Sequence, residues 1–154
     1  MMLKTGSLLL SICVSFLLTT DSRLVQIRSL YEKAPGGKPY CEELISLLKP
    51  YDETTPLYFG YKGCAYMIMA KHIGSPFSKL SSFRKGKKML EKAIGADDQN
   101  IELRFLRFTI QTNTPSLLGY GGQIKTDRLF LEQHLHQTDS SLRNRISRYL
   151  SRED

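Results

Sequence analysis

The stretch Tyr58-Phe-Gly-Tyr-Lys-Gly-Cys-Ala-Tyr-Met-Ile-Met-Ala-Lys71 begins the part of the chain that decides the fold, and two further segments, Lys79 to Ile94 and Ile101-Glu-Leu-Arg-Phe-Leu-Arg-Phe-Thr-Ile110, complete it. All three repeat apolar residues at intervals of three and four, the spacing of one helix face. In the first segment that face holds Phe59, Gly63, Tyr66 and Ala70. The pattern predicts three consecutive helices at the centre of the protein.

Two glycines lie inside the first of these helices. Gly60 and Gly63 each cost about 1 kcal/mol relative to alanine in a helix interior. Close approach of a neighbouring backbone is the compensation we expect. The sequence therefore predicts a helix that is buried on two sides.

The second segment is the clearest amphipathic helix of the chain. Its apolar arc holds Phe83, Gly86, Met89, Leu90, Ala93 and Ile94. The opposite arc carries the residues that we call the basic face, namely Arg84, Lys85, Lys87, Lys88 and Lys92. Such a face is either a plain solvated surface or a surface for an acidic partner.

The third segment follows a short acidic turn, in which Asp97 or Asp98 is the expected helix N-cap. One apolar stripe holds Ile101, Phe105 and Phe108, and another holds Leu103, Leu106 and Ile110. A helix with two apolar stripes lies between neighbours. The polar stripe of Arg104, Arg107 and Gln111 between them either binds an acidic partner or pairs internally with Asp97, Asp98, Glu102 or Asp127.

The central stretch resembles a degenerate tetratricopeptide repeat. The resemblance rests on Phe59-x3-Gly63-x2-Tyr66, Gly86-x3-Leu90-x2-Ala93 and the acidic turn before Asn100. Lys62 replaces the usual Leu, Asp98 replaces the usual Pro, and the hairpin at 74–82 is about ten residues longer than the repeat's. The resemblance implies an all-α fold of stacked antiparallel helix pairs in a short right-handed array. The whole chain is also similar to small exported helical proteins of Bacteroidetes-type bacteria, a likeness that implies no activity.

Helical spacing also predicts elements on both sides of the central stretch. Before it lie helices at about 24–31 and 40–48, and after it lie helices at about 124–137 and 142–150, the last with Asp139 as N-cap. The connection at 113–122 contains Tyr120 between two glycines. Its ring is either exposed for a partner or tucked back under the last helix pair together with Leu117 and Leu118, which would close the core.

The N-terminal 22 residues predict export. Lys4 precedes an apolar run at 8–18, which is too short for a membrane-spanning helix of roughly 20 residues. The sequence therefore divides into a signal peptide or anchor at 1–22 and one helical domain at 23–154, in the periplasm or at the envelope. In that compartment Cys41 and Cys64 form a disulfide or remain two buried free thiols.

No residue pattern predicts catalysis, a cofactor or a metal site. The chain has no HExxH, GxSxG or phosphate-binding loop, and His134 and His136 point apart on a helix. The formal net charge of +7 favours acidic partners. No motif of alternating basic and aromatic residues accompanies this charge, so we expect that nucleic acid is not the partner. The sequence predicts a non-catalytic protein–protein interaction or scaffold protein of the bacterial envelope. The alternative is a basic membrane-surface protein that binds anionic lipid or an acidic partner, and an enzyme stays a third hypothesis that a deep polar pocket would favour.

Overall fold

The computed structural model describes residues 22–152, which are helical throughout apart from turns and loops and contain no strand in that range. This confirms the all-α class. The predicted export segment, apart from Ser22, lies outside the described residues. The helices are α1 at 22–33, α2 at Lys38–Leu47, α3 at Pro56–Met69, α4 at Pro76–Ala96, α5 at Ile101–Thr112, α6 at Ile124–His134 and α7 at Ser140–Leu150.

Proline and side-chain caps set the ends of these helices. Proline occupies one of the first two positions of α2, α3 and α4, where its missing N–H is not needed. The predicted cap of α5 was wrong: Asn100, rather than either aspartate, accepts a hydrogen bond from the Leu103 N–H at 3.1 Å. The predicted cap of α7 is confirmed, since Asp139 accepts from the Leu142 N–H at 2.9 Å.

Helix α5 is the central element, because the two hydrophobic cores lie on opposite sides of it. The larger core combines α1 to α5 and includes Leu103, Leu106 and Ile110. The smaller core combines α5, α6 and α7 and includes Phe105 and Phe108. Both apolar stripes of α5 therefore pack into a core as the sequence predicted, with Ile101 only partly buried.

Helices α3 and α4 pack with their backbones in close approach. A Cβ atom built on Gly63 would lie 2.6 Å from the Gly86 carbonyl oxygen, and one built on Gly86 would lie 2.8 Å from the Met67 nitrogen. This confirms the expected backbone approach at Gly63. At Gly60 the space is filled instead by the Leu103 side chain of α5. None of the helices at 22–152 is both long and apolar enough to cross a membrane.

Candidate functional site

The polar stripe of α5 is tied to α6 by a buried ion cluster. Arg107 donates to both carboxylate oxygens of Asp127, at 2.7 and 2.8 Å, and Arg104 donates to the same carboxylate at 2.9 Å. Asp127 is fully buried and Arg107 is 5 % exposed. The cluster is the internal pairing that the sequence left open as the alternative to partner binding.

The same cluster extends to α4 and to the connection before α6. Arg107 also donates to Glu91 at 3.0 Å, and the Tyr120 hydroxyl donates to the other Glu91 oxygen at 2.5 Å. Tyr120 is 5 % exposed and its ring packs edge-on against Phe83, so the alternative of an exposed ring is wrong. Gln111, also buried, accepts a hydrogen bond from the Gln123 N–H at 3.2 Å.

A second buried ion pair, on the other side of α5, was not predicted from the sequence. Arg28 of α1 donates to both oxygens of Glu102, at 2.7 and 2.6 Å, and the Tyr61 hydroxyl donates to the same carboxylate at 2.5 Å. Burial and the adjacent Glu102 carboxylate raise the pKa of Tyr61 well above its ordinary value. The pair joins residues 74 positions apart, so no local pattern could have revealed it.

The surface of the described residues contains a half-open cavity of about 870 Å³, which we call the cleft. It lies between α7 on one side and the end of α3 and start of α4 on the other, with α5 beneath it. Its floor is mostly apolar and aromatic, and it includes Tyr61, Met67, Ile68, Phe83, Phe105 and Ile110, all of them buried. Ligand cavities in proteins typically measure roughly 300–1,000 Å³ and have such a lining.

The uncharged polar side chains of the cleft form hydrogen bonds within the protein. The Tyr31 hydroxyl and the Thr109 hydroxyl lie 2.5 Å apart, and the Asn113 amide donates to the Thr109 carbonyl at 2.8 Å. No buried side-chain nitrogen or oxygen in the described chain is left without a hydrogen-bond partner. The floor therefore offers an apolar surface rather than a set of groups converging on a substrate.

The rim of the cleft is basic. We define the basic rim as Lys71, Lys79, Arg145, Arg148 and Arg152. Glu32 is the one acidic residue among the described lining residues, and it pairs with Arg145 at 2.5 Å. The ion pairs found within residues 22–152 involve no other member of the rim. The remaining four cations are solvent-exposed, so they are available to an anionic ligand.

Two exposed apolar residues are chain neighbours of residues that line the cleft. Phe77 is 84 % exposed and is adjacent in the chain to Pro76, which lines the cleft; Leu117 is 86 % exposed and is adjacent to Leu118, which also lines it. The expectation that Leu117 packs under the last helices is therefore wrong, whereas Tyr120 does pack inward. A smaller hollow of about 300 Å³, lined by Phe77 and Tyr66 among others, adjoins the start of α4.

The basic face of α4 is engaged only in part. The Lys85 ammonium lies 3.8 Å from the centre of the Tyr66 ring, and that of Lys87 lies 4.7 Å from the Tyr120 ring. Lys92 forms an ion pair with Glu53. The other two cations of the face, Arg84 and Lys88, are exposed.

Cys41 and Cys64 are both buried and both free thiols, which is the second of the two alternatives that the sequence left open. The Cys41 thiol donates to the Ala65 carbonyl at 3.2 Å. Burial, with a smaller contribution from Glu42, raises the pKa of Cys41 to about 11. Burial also raises the pKa of Cys64, so neither thiol is set up as a nucleophile at neutral pH.

The described residues include no group of three or more histidine, cysteine, aspartate or glutamate side chains placed to hold a metal ion. His134 instead bonds to the Phe130 carbonyl at 2.8 Å and stacks on the Phe130 ring. Comparisons with protein-family models, with curated proteins and with solved structures found no match to this chain. The candidate site is thus defined by its geometry and charge alone.

Proposed function

We propose that the protein is a non-catalytic interaction protein of the bacterial envelope and that the surface it recognises is an anionic membrane. The observation that carries the proposal is the exposure of Phe77 and Leu117, each of which is next in the chain to a residue that lines the basic cleft. Single exposed apolar residues are common on protein surfaces. Here both are chain neighbours of residues that line one cleft, and Lys71 and Lys79 lie on the rim of that cleft.

This combination suits the interface of a bilayer. Apolar side chains of peripheral proteins insert roughly 5–10 Å into the headgroup region. Each nearby lysine or arginine adds about 1 kcal/mol of attraction to anionic lipid. The formal net charge of +7 acts in the same direction. The N-terminal apolar run, outside the described residues, supports export of the chain to an envelope compartment.

Vesicle flotation with the full chain tests this proposal. We expect the protein to float with phosphatidylglycerol vesicles, and to lose much of that binding when Phe77 and Leu117 are both replaced by serine. Leu129→Ser is the matched control, because Leu129 is 58 % exposed on α6 and does not line the cleft. Equal flotation of the double variant and the control would overturn the proposal, as would equal binding to neutral phosphatidylcholine.

The second candidate is a scaffold protein with an acidic protein partner, which the basic face of α4 favours. Arg84 and Lys88 are exposed on that face, and the ion pairs found within residues 22–152 include neither of them. The tetratricopeptide-like stacking belongs to this candidate, and the close approach of Gly63 and Gly86 supports a repeat-like pairing of α3 and α4. Reversal of Arg84 and Lys88 to glutamate would abolish capture of an acidic partner, and it should weaken vesicle flotation less than replacement of Phe77 and Leu117 does.

A further inference from the structure

The cleft itself points to a ligand. We infer that it binds a single-chain amphiphile with an anionic headgroup, the alkyl chain lying on the apolar floor and the headgroup lying at the basic rim. The inference rests on the proposed membrane role, because a bilayer supplies such molecules at the cleft mouth. It goes beyond that role by giving the cavity an occupant.

The floor favours an alkyl chain over an extended peptide. The hydroxyls of Tyr31 and Thr109 bond to each other, the Asn113 amide bonds to a backbone carbonyl, and the Tyr61 hydroxyl bonds to Glu102. Few donors or acceptors remain there for an incoming backbone. An extended peptide would bury N–H and C=O groups without partners, whereas an alkyl chain has none to satisfy.

The rim favours an anionic headgroup. Lys71 and Lys79 lie on one side of the cleft and Arg148 on the other, all three exposed and without an ion pair in the described chain. Arginine forms paired hydrogen bonds with carboxylate or phosphate, and lysine supplies a point charge. The lining acid, Glu32, is neutralised by Arg145 at 2.5 Å, which leaves the mouth strongly positive.

Titration calorimetry of the full chain with octanoate, decanoate and dodecanoate tests the inference. Burial of each methylene contributes about 0.8 kcal/mol, so affinity should rise about threefold to fourfold per added methylene. Dodecanol, which has the same chain without the charge, should bind more weakly than dodecanoate. Dodecyl phosphate separates the two headgroups: tighter binding than dodecanoate assigns a phosphate, and weaker binding assigns a carboxylate.

Variants locate the ligand. Lys79→Gln combined with Arg148→Gln should weaken dodecanoate binding about threefold to tenfold, while Lys88→Gln, an exposed lysine outside the cleft, should leave it unchanged. Leu80→Glu places a carboxylate on the lining and should abolish binding. Leu118→Glu provides the same test from the opposite segment should the first variant have a lowered melting temperature.

Several outcomes would overturn the inference. These are no measurable binding of dodecanoate, affinity independent of chain length, and unaltered binding to both glutamate variants. Tight binding of a designed acidic amphipathic helix in place of dodecanoate would assign the cleft to a protein segment instead. If calorimetry detects no dodecanoate binding while the protein still binds anionic vesicles, the membrane role stands and the ligand inference is wrong. If dodecanoate binds but the protein does not float with anionic vesicles, the membrane role is wrong and the cleft is a site for free amphiphile.

Discussion

The arginines of α5 form ion pairs inside the fold, whereas most cations of the cleft rim are exposed and form none in the described chain. Arg107 donates to Asp127 and Glu91 and is 5 % exposed, so its charge is paired inside the fold and is not available to a ligand. Arg148 of α7 lines the cleft, is exposed and has no ion pair in the described chain. The difference separates arginines that hold helices together from arginines that are available to a ligand.

Burial decides which of the two roles a cation has. A buried charge must be paired and hydrogen-bonded, because removal from water carries a penalty of several kcal/mol per ion. An exposed charge keeps its hydration and contributes little to folding, with a typical ion pair worth up to about 1 kcal/mol.

Asp127→Ala should have the largest effect. It leaves Arg107 buried without its bidentate partner and also deprives Arg104 of its carboxylate. Loss of one partner of a buried pair costs about 3 to 5 kcal/mol. We expect that decrease in the free energy of unfolding, measured by urea denaturation. A decrease below about 1 kcal/mol would mean that the cluster is not structural and would return Arg104 and Arg107 to the partner-binding hypothesis.

Glu102→Gln should have the next largest effect, a decrease of about 3 kcal/mol in the free energy of unfolding. The reason is that Arg28 stays buried with only the more distant Asp139 carboxylate, at 3.3 Å, as a charged partner. The glutamine still accepts the Tyr61 hydroxyl. Addition of Arg28→Met in the same chain removes the unpaired charge, and we expect it to restore more than half of the lost stability. Urea denaturation of the two single variants and the double variant gives the coupling energy between Arg28 and Glu102. Additive losses of stability would contradict the conclusion that the two side chains form a buried ion pair.

These two clusters also show what could be predicted from the sequence. Helical spacing predicted the all-α class and both stripes of α5, because each depends on residues close together in the chain. The cost of glycine inside a helix predicted a backbone approach at Gly63, but not that Gly86 would supply it. Asp127 was one of four acids that the sequence offered to the α5 arginines. The choice among them depends on how α6 lies against α5, which no local pattern fixes.

The Arg28–Glu102 pair and the cleft were missed for the same reason. The cleft takes its lining from α1, α3, α4, α5 and α7, so it exists only once five helices are assembled. Tyr120 shows that even a single loop residue could not be placed from the sequence. Its flanking glycines are compatible with an exposed or a buried ring, and the hydrogen bond to Glu91 on α4 favours the buried one.

Alkaline pH should lower the free energy of unfolding, because buried groups that are neutral in the folded protein ionise more readily in the unfolded chain. The folded pKa of Cys41, about 11, lies above the ordinary value of 9.0, so its stabilising contribution is complete below pH 9 and is lost as pH rises through 11. A shift of two units corresponds to roughly 2 kcal/mol at pH 11. Urea denaturation in reducing buffer at pH 8 and pH 11 measures the loss. Cys41→Ala should show a smaller loss than the unaltered chain, and an equal loss would mean that other groups account for it.

Arg145 and Arg148 give the smallest and most direct comparison, because both lie on α7 and both line the cleft. Arg145 pairs with Glu32 and also donates to the Arg28 carbonyl at 3.4 Å. Arg145→Gln should therefore lower the free energy of unfolding by about 1 kcal/mol, whereas Arg148→Gln should change it by less than about 0.5 kcal/mol. The order should reverse for dodecanoate affinity when Glu32→Gln accompanies Arg145→Gln, because those two changes leave no unpaired carboxylate on the lining, whereas Arg148→Gln removes a free charge from the headgroup site. Equal effects of the two variants on both stability and affinity would mean that pairing within the fold does not separate structural from ligand-binding cations at this rim.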